Sequence, residues 1–303
     1  MKIIVTGSTG LVGRALVRAL LADGHQVTRM VRGASQTSDA QATATVRWDV
    51  DAGVVADPSA LEGHDAVVHL AGESVSEKWT PERKRRILES RVRGTRLIAE
   101  TIAALERRPK VLVSASAIGF YGDRGEELLT EASASGGDFL SEVCREWEKA
   151  TLAASQAGVR VVNLRIGIVL SADGGALAKM LTPFKFGVGG RIGSGRQYMS
   201  WIDLDDLIGI IKHAIENDSL RGAVNAVAPQ PVTNAQFTET LGRVLGRPTL
   251  FPVPVFAVKL AFGEMGETLL LGSQRVEPAQ LRASGYRFAY ANLEDSLRHV
   301  LKK

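Results

Sequence analysis

The first 170 residues alternate short runs rich in β-branched and aliphatic side chains with longer amphipathic stretches. Strands are expected at 2–7 (KIIVTG), 26–32 (QVTRMVR), 44–50 (ATVRWDV), 65–72 (DAVVHLAG), 110–116 (KVLVSAS) and 159–170 (VRVVNLRIGIVL). Helices are expected at 11–23, 81–107 and 138–157, where the apolar residues recur at helical spacing. The strands are near-continuously apolar and separated by helices, the pattern of a parallel sheet covered on both faces. After Gly167 this alternation stops. Residues 171–197 are loop-rich, YMSWIDLDDLIGIIKHAIEN reads as a short strand and a helix, and GAVNAVAP (222–229) returns as a strand. From Pro231 onward, helices are separated by proline-containing connections such as RPTLFPVPVF. The expected fold is therefore α/β. A Rossmann-type doubly wound parallel sheet is built from 1–166 plus 202–228. A smaller, mostly helical substrate lobe is built from 167–201 plus 229–303.

Composition adds limits more than direction. A chain of 303 residues, 45% hydrophobic and 23% charged, has ample material for a core. Its net charge of +4 suits an anionic small ligand as readily as a nucleic acid. The single cysteine, Cys144, excludes an internal disulfide and fits a reducing compartment. Lying mid-helix between Val143 and Arg145, it reads as a buried structural thiol. MKIIVTG opens directly as a strand, and LFPVPVFAVKLAF is too short, carries two prolines and contains Lys259. The expectation is a soluble, cytoplasmic chain with no membrane partner, as a monomer or homodimer. The helix from Pro81 is strongly basic, but Glu82 and Glu89 stand four residues before Arg86 and Arg93, and no aromatic residue interleaves with the charges. It reads as a solvated face with intrahelical ion pairs, not a nucleic-acid surface. The five histidines lack metal-ligand spacing, so no metal is expected.

The most informative motif is KIIVTGSTGLVGRALVRALLADGH, where Gly7, Gly10 and Gly13 fall at a strand-to-helix turn. Gly7 permits the tight turn, Gly10 lets backbone N–H groups approach a pyrophosphate, and Gly13 lets the helix pack on the strand. The motif follows a strand, opens a helix and begins a βαβ unit, the context that a dinucleotide site requires. At the end of the second strand an NAD site usually carries an acid for the ribose 2′-hydroxyl. Here Val31 is followed by Arg32, with Arg29 nearby. A guanidinium can pair with a 2′-phosphate, so the expected cofactor is NADP(H).

These residues carry a resemblance. VTGSTGLVG, HLAG (69–72), RVRGT (91–95) and SASAIGFYGD (114–123) resemble the extended short-chain dehydrogenase/reductases. HLAGES, SRVRGT, SAIGFYGD, CREWE, GGRIGSGRQYMSWIDLDDL and QRVEPAQLRASGYRF are similar to an atypical branch, the epimerase-like family with a conserved C-terminal domain. The resemblance implies cofactor contacts from Gly7, Ser8, Thr9, Gly10, Leu11, Val12 and Gly13, with Arg32 at the 2′-phosphate. Asp49 and Val50 would lie beside the adenine. Leu70, Ala71, Gly72 and Glu73 would line the nicotinamide-side ribose, with Lys78, Ser114 and Ile166 as further contacts.

The same resemblance implies a serine on the fifth strand and a Tyr-x-x-x-Lys pair on the next helix, where the ammonium lowers the phenol pKa for proton transfer. Ser116 matches the serine. The pair is missing: GGDFLSEVCREWEKA places Phe139 and Val143 there. The four tyrosines, Tyr121, Tyr198, Tyr286 and Tyr290, are followed four residues later by Gly125, Ile202, Tyr290 and Glu294. Tyr121 could donate a proton if Lys78, Arg91 or Arg165 sat beside it; otherwise it shapes its loop. Glu73 is a second candidate acid/base. Arg91 stands where extended relatives commonly carry asparagine, and Asp203 where the branch motif carries histidine. Arg196 is a candidate contact for an anionic substrate group, whereas sugar-nucleotide relatives place an arginine at the position of Met199.

The expected function is an NADP(H)-binding oxidoreductase or epimerase-like enzyme for an unidentified small polar substrate. Ser116 would orient the reacting oxygen, and the proton would come from Tyr121, Glu73 or water. The alternative is a non-catalytic NADPH-binding sensor or partner-binding protein, since some plant and cyanobacterial proteins resembling this branch are linked to plastid or cell division.

Overall fold

The computed structural model describes residues 1–32 and 44–303. Its main sheet holds β1 (Lys2–Thr6), β2 (Gln26–Arg32), β3 (Ala44–Asp49), β4 (Val54–Val55), β5 (Ala66–His69), β6 (Val111–Ala117), β8 (Arg160–Ile166) and β12 (Gly222–Ala226). Small two-stranded pairings use β7 (Leu128–Leu129), β9 (Ile168–Leu170), β10 (Tyr198–Met199), β11 (Trp201–Asp203), β13 (Val232–Thr233) and β14 (Arg275–Val276). The helices are α1 (Leu11–Ala22), α2 (Pro81–Ala104), α3 (Phe139–Lys149), α4 (Leu152–Gln156) and α5 (Gly175–Lys185), followed by α6 (Leu204–Glu216), α7 (Asn234–Leu245), α8 (Val255–Gly266), α9 (Ala279–Ala283) and α10 (Leu293–Leu301).

The main sheet runs β12-β8-β6-β5-β1-β2-β3-β4, parallel throughout except for the β3–β4 pair. The chain builds outward in both directions from β1, so the switch point falls between β1 and β5. A doubly wound sheet opens its ligand crevice there, beyond the carboxyl ends of the strands.

Each central strand is apolar on both faces because each face is covered. Ile3, Val5, Val68, Val113 and Leu164 pack with Leu16 and Leu20 of α1 and with Leu207 and Ile211 of α6. On the opposite face Ile4, Val67 and Leu112 pack with Ile98, Ala99 and Ile102 of α2 and with Ala154 of α4. The first cluster continues through Leu177 and Phe184 of α5 and Phe237 and Leu241 of α7 to Leu293 and Leu297 of α10. The C-terminal helices thus share a core with the Rossmann sheet.

Two expected elements divide. Residues 159–170 form β8 and β9, which belong to different sheets. At Gly167 the backbone changes partners: its N–H bonds Ala226 O at 3.1 Å, while Ile168 N–H bonds Ser200 O at 2.9 Å. A Cβ at Gly167 would lie 2.5 Å from Ser200 O and 2.8 Å from Val227 Cγ1, so only glycine fits the crossing. The helix expected over 138–157 begins as read, with the Asp138 side chain accepting from Ser141 N at 2.8 Å. It then breaks between Lys149 and Leu152 into α3 and α4.

Candidate coenzyme and active site

The glycine turn is built by close approach. Gly7 has φ +65°, and a Cβ there would lie 2.7 Å from the carbonyl carbon of Leu70 and 2.8 Å from Ala71 N. The turn after β1 therefore lies directly on the backbone that follows β5, which brings HLAG to the motif. A Cβ at Gly13 would meet Gly7 O at 2.1 Å, so α1 starts in contact with the strand end. Gly10 is less confined: its N–H bonds Gly7 O at 3.0 Å and its Cβ would lie 3.3 Å from that oxygen. Gly10 also caps α1 without a side-chain acceptor, leaving the first-turn N–H groups at Leu11, Val12 and Gly13 for an anion. Ser8 is buried and its hydroxyl accepts from Arg29 Nε at 3.0 Å, whereas Thr9 is exposed. The two arginines of β2 therefore part: Arg29 braces the turn from inside, and Arg32 lies exposed at the strand end.

A cavity of about 310 Å³ opens beside this turn. Its lining includes Arg32, Asp49, Val50, Ala71, Gly72 and Glu73, six residues expected at the cofactor, together with Trp48, Arg86, Ser90 and Arg93. Asp49 is held by its own loop, its Oδ1 accepting from Asp51 N and Ala52 N, both at 2.9 Å. The glycine cradle, the uncapped helix and the cation at the end of β2 together fit a dinucleotide carrying a 2′-phosphate.

The basic helix is solvated at Arg85, Arg86, Arg93 and Arg96, as read, but two of its arginines turn inward. Arg83 is buried, with Nη1 on Glu73 Oε1 at 2.8 Å and Nη2 on Ser74 O at 3.1 Å. Arg91 turns inward over the Trp147 ring, 4.8 Å from its centroid, and donates to Ile87 O. Burial pushes its pKa down to about 10. A Cβ at Gly72 would lie 3.3 Å from Arg91 Cζ, so the guanidinium packs against HLAG. Arg93 pairs with Asp51 across the cavity mouth, at 3.6 Å, and bonds Asp51 O at 2.8 Å, in place of the expected partner Glu89. Tertiary partners override the i,i+4 spacing here because exposed intrahelical pairs are worth only a few tenths of a kcal/mol.

Beyond β6 the structure assembles a polar network that spacing did not reveal. The Ser116 hydroxyl donates to Glu148 Oε1 at 2.7 Å. Arg165 clamps the same carboxylate in fork geometry, Nε to Oε1 at 2.8 Å and Nη2 to Oε2 at 2.9 Å. Its Nη1 donates to the Tyr121 hydroxyl at 3.0 Å, and Tyr121 donates to Asn225 Oδ1 at 2.7 Å. The guanidinium also lies 3.4 Å from the centroid of the Phe120 ring. Tyr121 thus has the cation that proton donation would need. Yet it is fully buried, and burial outweighs that cation and raises its pKa. Cys144 lies beside Ser116, and burial, then the Glu148 charge, push the thiol up to about 12.

Residues 3–226 match the NAD dependent epimerase/dehydratase family, and residues 253–300 match a domain of unknown function, DUF1731. The chain belongs to the NAD dependent epimerase/dehydratase family. It is 42% identical to the chloroplastic epimerase family protein SDR39U1 homolog of Arabidopsis thaliana, over all of this chain and 87% of that protein. It superposes on human epimerase family protein SDR39U1 (isoform 2), solved with NADPH, at a TM-score of 0.90 and 34% identity, covering all of both chains. A nucleoside-diphosphate sugar epimerase of Corynebacterium glutamicum is 39% identical with a TM-score of 0.80, covering 99% of this chain and 58% of that one.

Within this epimerase-family fold, the helix that carries Tyr-x-x-x-Lys in other short-chain reductases buries an apolar face. Phe139, Leu140 and Val143 of α3 pack with Trp79, Ile87 and Met265 of α8. The residues that reach Ser116 are the next ones along that helix, Cys144 and, four positions on, Glu148. The motif CREWE contains both, but nothing in its spacing says that Glu148 meets Ser116 and Arg165.

The Glu73 carboxylate pairs with Arg83, and the Glu73 backbone N–H donates to Ser90 Oγ at 3.2 Å. Ser114 is fully buried on β6, and Ile166 ends β8 in register with Ala117. Lys78 and Arg196 are both exposed and outside the lining of the cavity. The nearest approach to a metal-type group among the described residues is Asp203, Asp205 and His299. Their atoms are engaged with one another and with Ser296: His299 Nε2 to Asp205 Oδ2 is 2.8 Å and Ser296 Oγ to Asp203 Oδ2 is 2.6 Å. No helix among the described residues is long and apolar enough to cross a membrane.

Proposed function

We propose that this chain is an NADP(H)-dependent oxidoreductase or epimerase-like enzyme for a small polar substrate, with Ser116 and Glu148 standing in for the missing Tyr-x-x-x-Lys pair. The observation that carries the proposal is the glycine turn closed onto HLAG, with Arg32 beside the same cavity at the switch point of the sheet. The NADPH in human SDR39U1 supports it.

Gly7, Gly10, Gly13 and the N-terminus of α1 would hold the pyrophosphate, and Arg32 the 2′-phosphate. When bound, the coenzyme supplies hydride chemistry. The chain itself must then handle a proton. Ser116 Oγ would hold the reacting oxygen while its own proton is already directed at Glu148 Oε1. A substrate hydroxyl could thus pass its proton to Ser116 as the serine proton moves to Glu148. Arg165 fixes the orientation of that carboxylate, and Arg91 adds a second cation behind Cys144. The enclosed Tyr121 serves to hold Arg165 in place.

Calorimetry with NADPH and NADH tests the binding half, and NADPH oxidation with a panel of small carbonyl compounds tests the catalytic half. Ser116→Ala should abolish turnover and leave NADPH affinity intact. Tight NADPH binding without turnover of any carbonyl would instead support a role as an NADPH sensor.

A further inference from the structure

Twelve large apolar side chains are exposed among the described residues, and eight of them lie between residues 186 and 262. They include all four exposed phenylalanines, Phe186, Phe251, Phe256 and Phe262, with Leu250 and Leu260. These positions form one surface, because the two chain stretches that carry them run side by side. Gly193 N–H bonds Val253 O at 2.9 Å, Val253 N–H bonds Arg191 O at 2.8 Å, and Gly187 lies against Pro248. Phe256 and Leu260 follow on α8, four residues apart and so on the same side of the helix.

The two stretches that carry this surface are themselves purely basic, while acids border them at Glu239, Glu264 and Glu267. Residues 174–202 and 240–263 contain no aspartate or glutamate and seven lysines and arginines, leaving a net −3 on the rest of a chain whose total is +4. Arg243 and Lys259 are paired with Glu294 and Glu267, and Glu239 shares a groove with Arg191. Lys179, Lys185, Arg191, Arg196 and Arg247 remain as the cations of these two stretches that make no ion pair with a described residue.

We propose that this face docks on an anionic lipid bilayer, its phenylalanines and leucines entering the interface and its cations meeting headgroup phosphates. Exposed aromatic and aliphatic side chains flanked by lysine and arginine are the composition that binds membrane surfaces without spanning them. The geometry separates this occupant from others. Phe186, Phe256 and Leu260 are 80%, 71% and 83% exposed and lie outside the groove beside Arg191, which of these apolar side chains only Leu250 lines, so they protrude and offer no seat for a partner helix. A second copy of the chain would set the same cations against each other. The proposal departs from the expectation that no membrane is involved, which rested on the lack of a spanning segment. It is independent of the coenzyme reading.

Flotation of the full chain with vesicles tests it. Phosphatidylcholine vesicles containing phosphatidylglycerol should bind about tenfold or more tightly than phosphatidylcholine alone, and raised salt should weaken that binding. The double variant Phe256→Ser, Leu260→Ser should lose about tenfold in vesicle binding, with NADPH affinity and thermal midpoint unchanged as the check on folding. Lys185→Glu with Arg247→Glu should lose the preference for anionic lipid. Failure to bind anionic vesicles, equal binding to both vesicle types, or variants that bind as the parent would each overturn the proposal. So would self-association abolished by the serine variants, which assigns the face to a second copy, or binding of an acidic amphipathic peptide without binding of vesicles.

Discussion

Ser116 and Glu148 lie 32 positions apart and meet at 2.7 Å, with the hydroxyl proton aimed at a carboxylate that Arg165 holds from the other side. The Arg165 side chain is 5% exposed and that of Glu148 15%, so neither charge has bulk water as a substitute partner.

Removing that carboxylate should therefore be costly. Glu148→Gln leaves a buried guanidinium without its counter-charge and is expected to cost about 3 kcal/mol of stability. Urea unfolding of the variant checks this. Arg165→Met, which removes the buried cation, should be better tolerated when combined with Glu148→Gln than Glu148→Gln alone.

The three glycines should separate fold from ligand. Gly13→Ala puts a methyl 2.1 Å from Gly7 O and is expected to destabilise the fold and coenzyme binding together. Gly10→Ala meets one oxygen at 3.3 Å, so thermal unfolding should change little. Its methyl would point at the place a pyrophosphate needs, and calorimetry should show NADPH binding weakened by about tenfold or more.

Arg32 should decide the choice of coenzyme. A charge-assisted hydrogen bond is worth about 1.5–3 kcal/mol, so Arg32→Ala should weaken NADPH binding by about 10- to 100-fold and leave NADH nearly unaffected. Equal loss for both coenzymes would show that Arg32 shapes the cavity without reading the phosphate.

Acid should act through His69. This ring is fully buried, with Nδ1 2.7 Å from the Thr6 hydroxyl, and burial lowers its pKa from 6.5 to about 4. Leu70 N–H donates to that same hydroxyl, and burial keeps the ring neutral in the folded state near neutral pH. Between pH 6.5 and about 4 the unfolded chain takes up a proton that the folded chain refuses, so stability falls as pH falls through that window. It levels off below, where both states are protonated. The loss from this one group is roughly 3 kcal/mol. Chemical denaturation across the window should show the slope, and His69→Gln should flatten it.

Cys144 should be inert in the folded protein. With its thiol pushed up to about 12 by burial, it carries negligible thiolate near neutrality. A disulfide-exchange reagent should label it only after denaturant is added, whereas rapid labelling of the native chain would mark it as a reactive group.

The sequence by itself determined the features that depend on neighbours along the chain. Near-continuous apolar strands, the Gly7-Gly10-Gly13 turn opening α1, and the basic end of β2 all follow from local periodicity and turn chemistry, and each stands where it was expected. The absence of Tyr-x-x-x-Lys was equally plain, because i,i+4 pairs are visible without a fold. Only the tertiary structure decided which distant side chains meet at Ser116. Glu148 and Arg165 belong to a helix and a strand whose apposition is set by packing between layers, and no spacing rule encodes it. The same reason explains why one apolar run splits at Gly167, where strands from two later segments compete for its backbone. It also explains why Arg83 and Arg91 turn inward and Arg93 prefers Asp51: a helix surface becomes interior wherever another element lies over it. Local chemistry is written in the order of residues, and long-range contacts exist only once the core has closed.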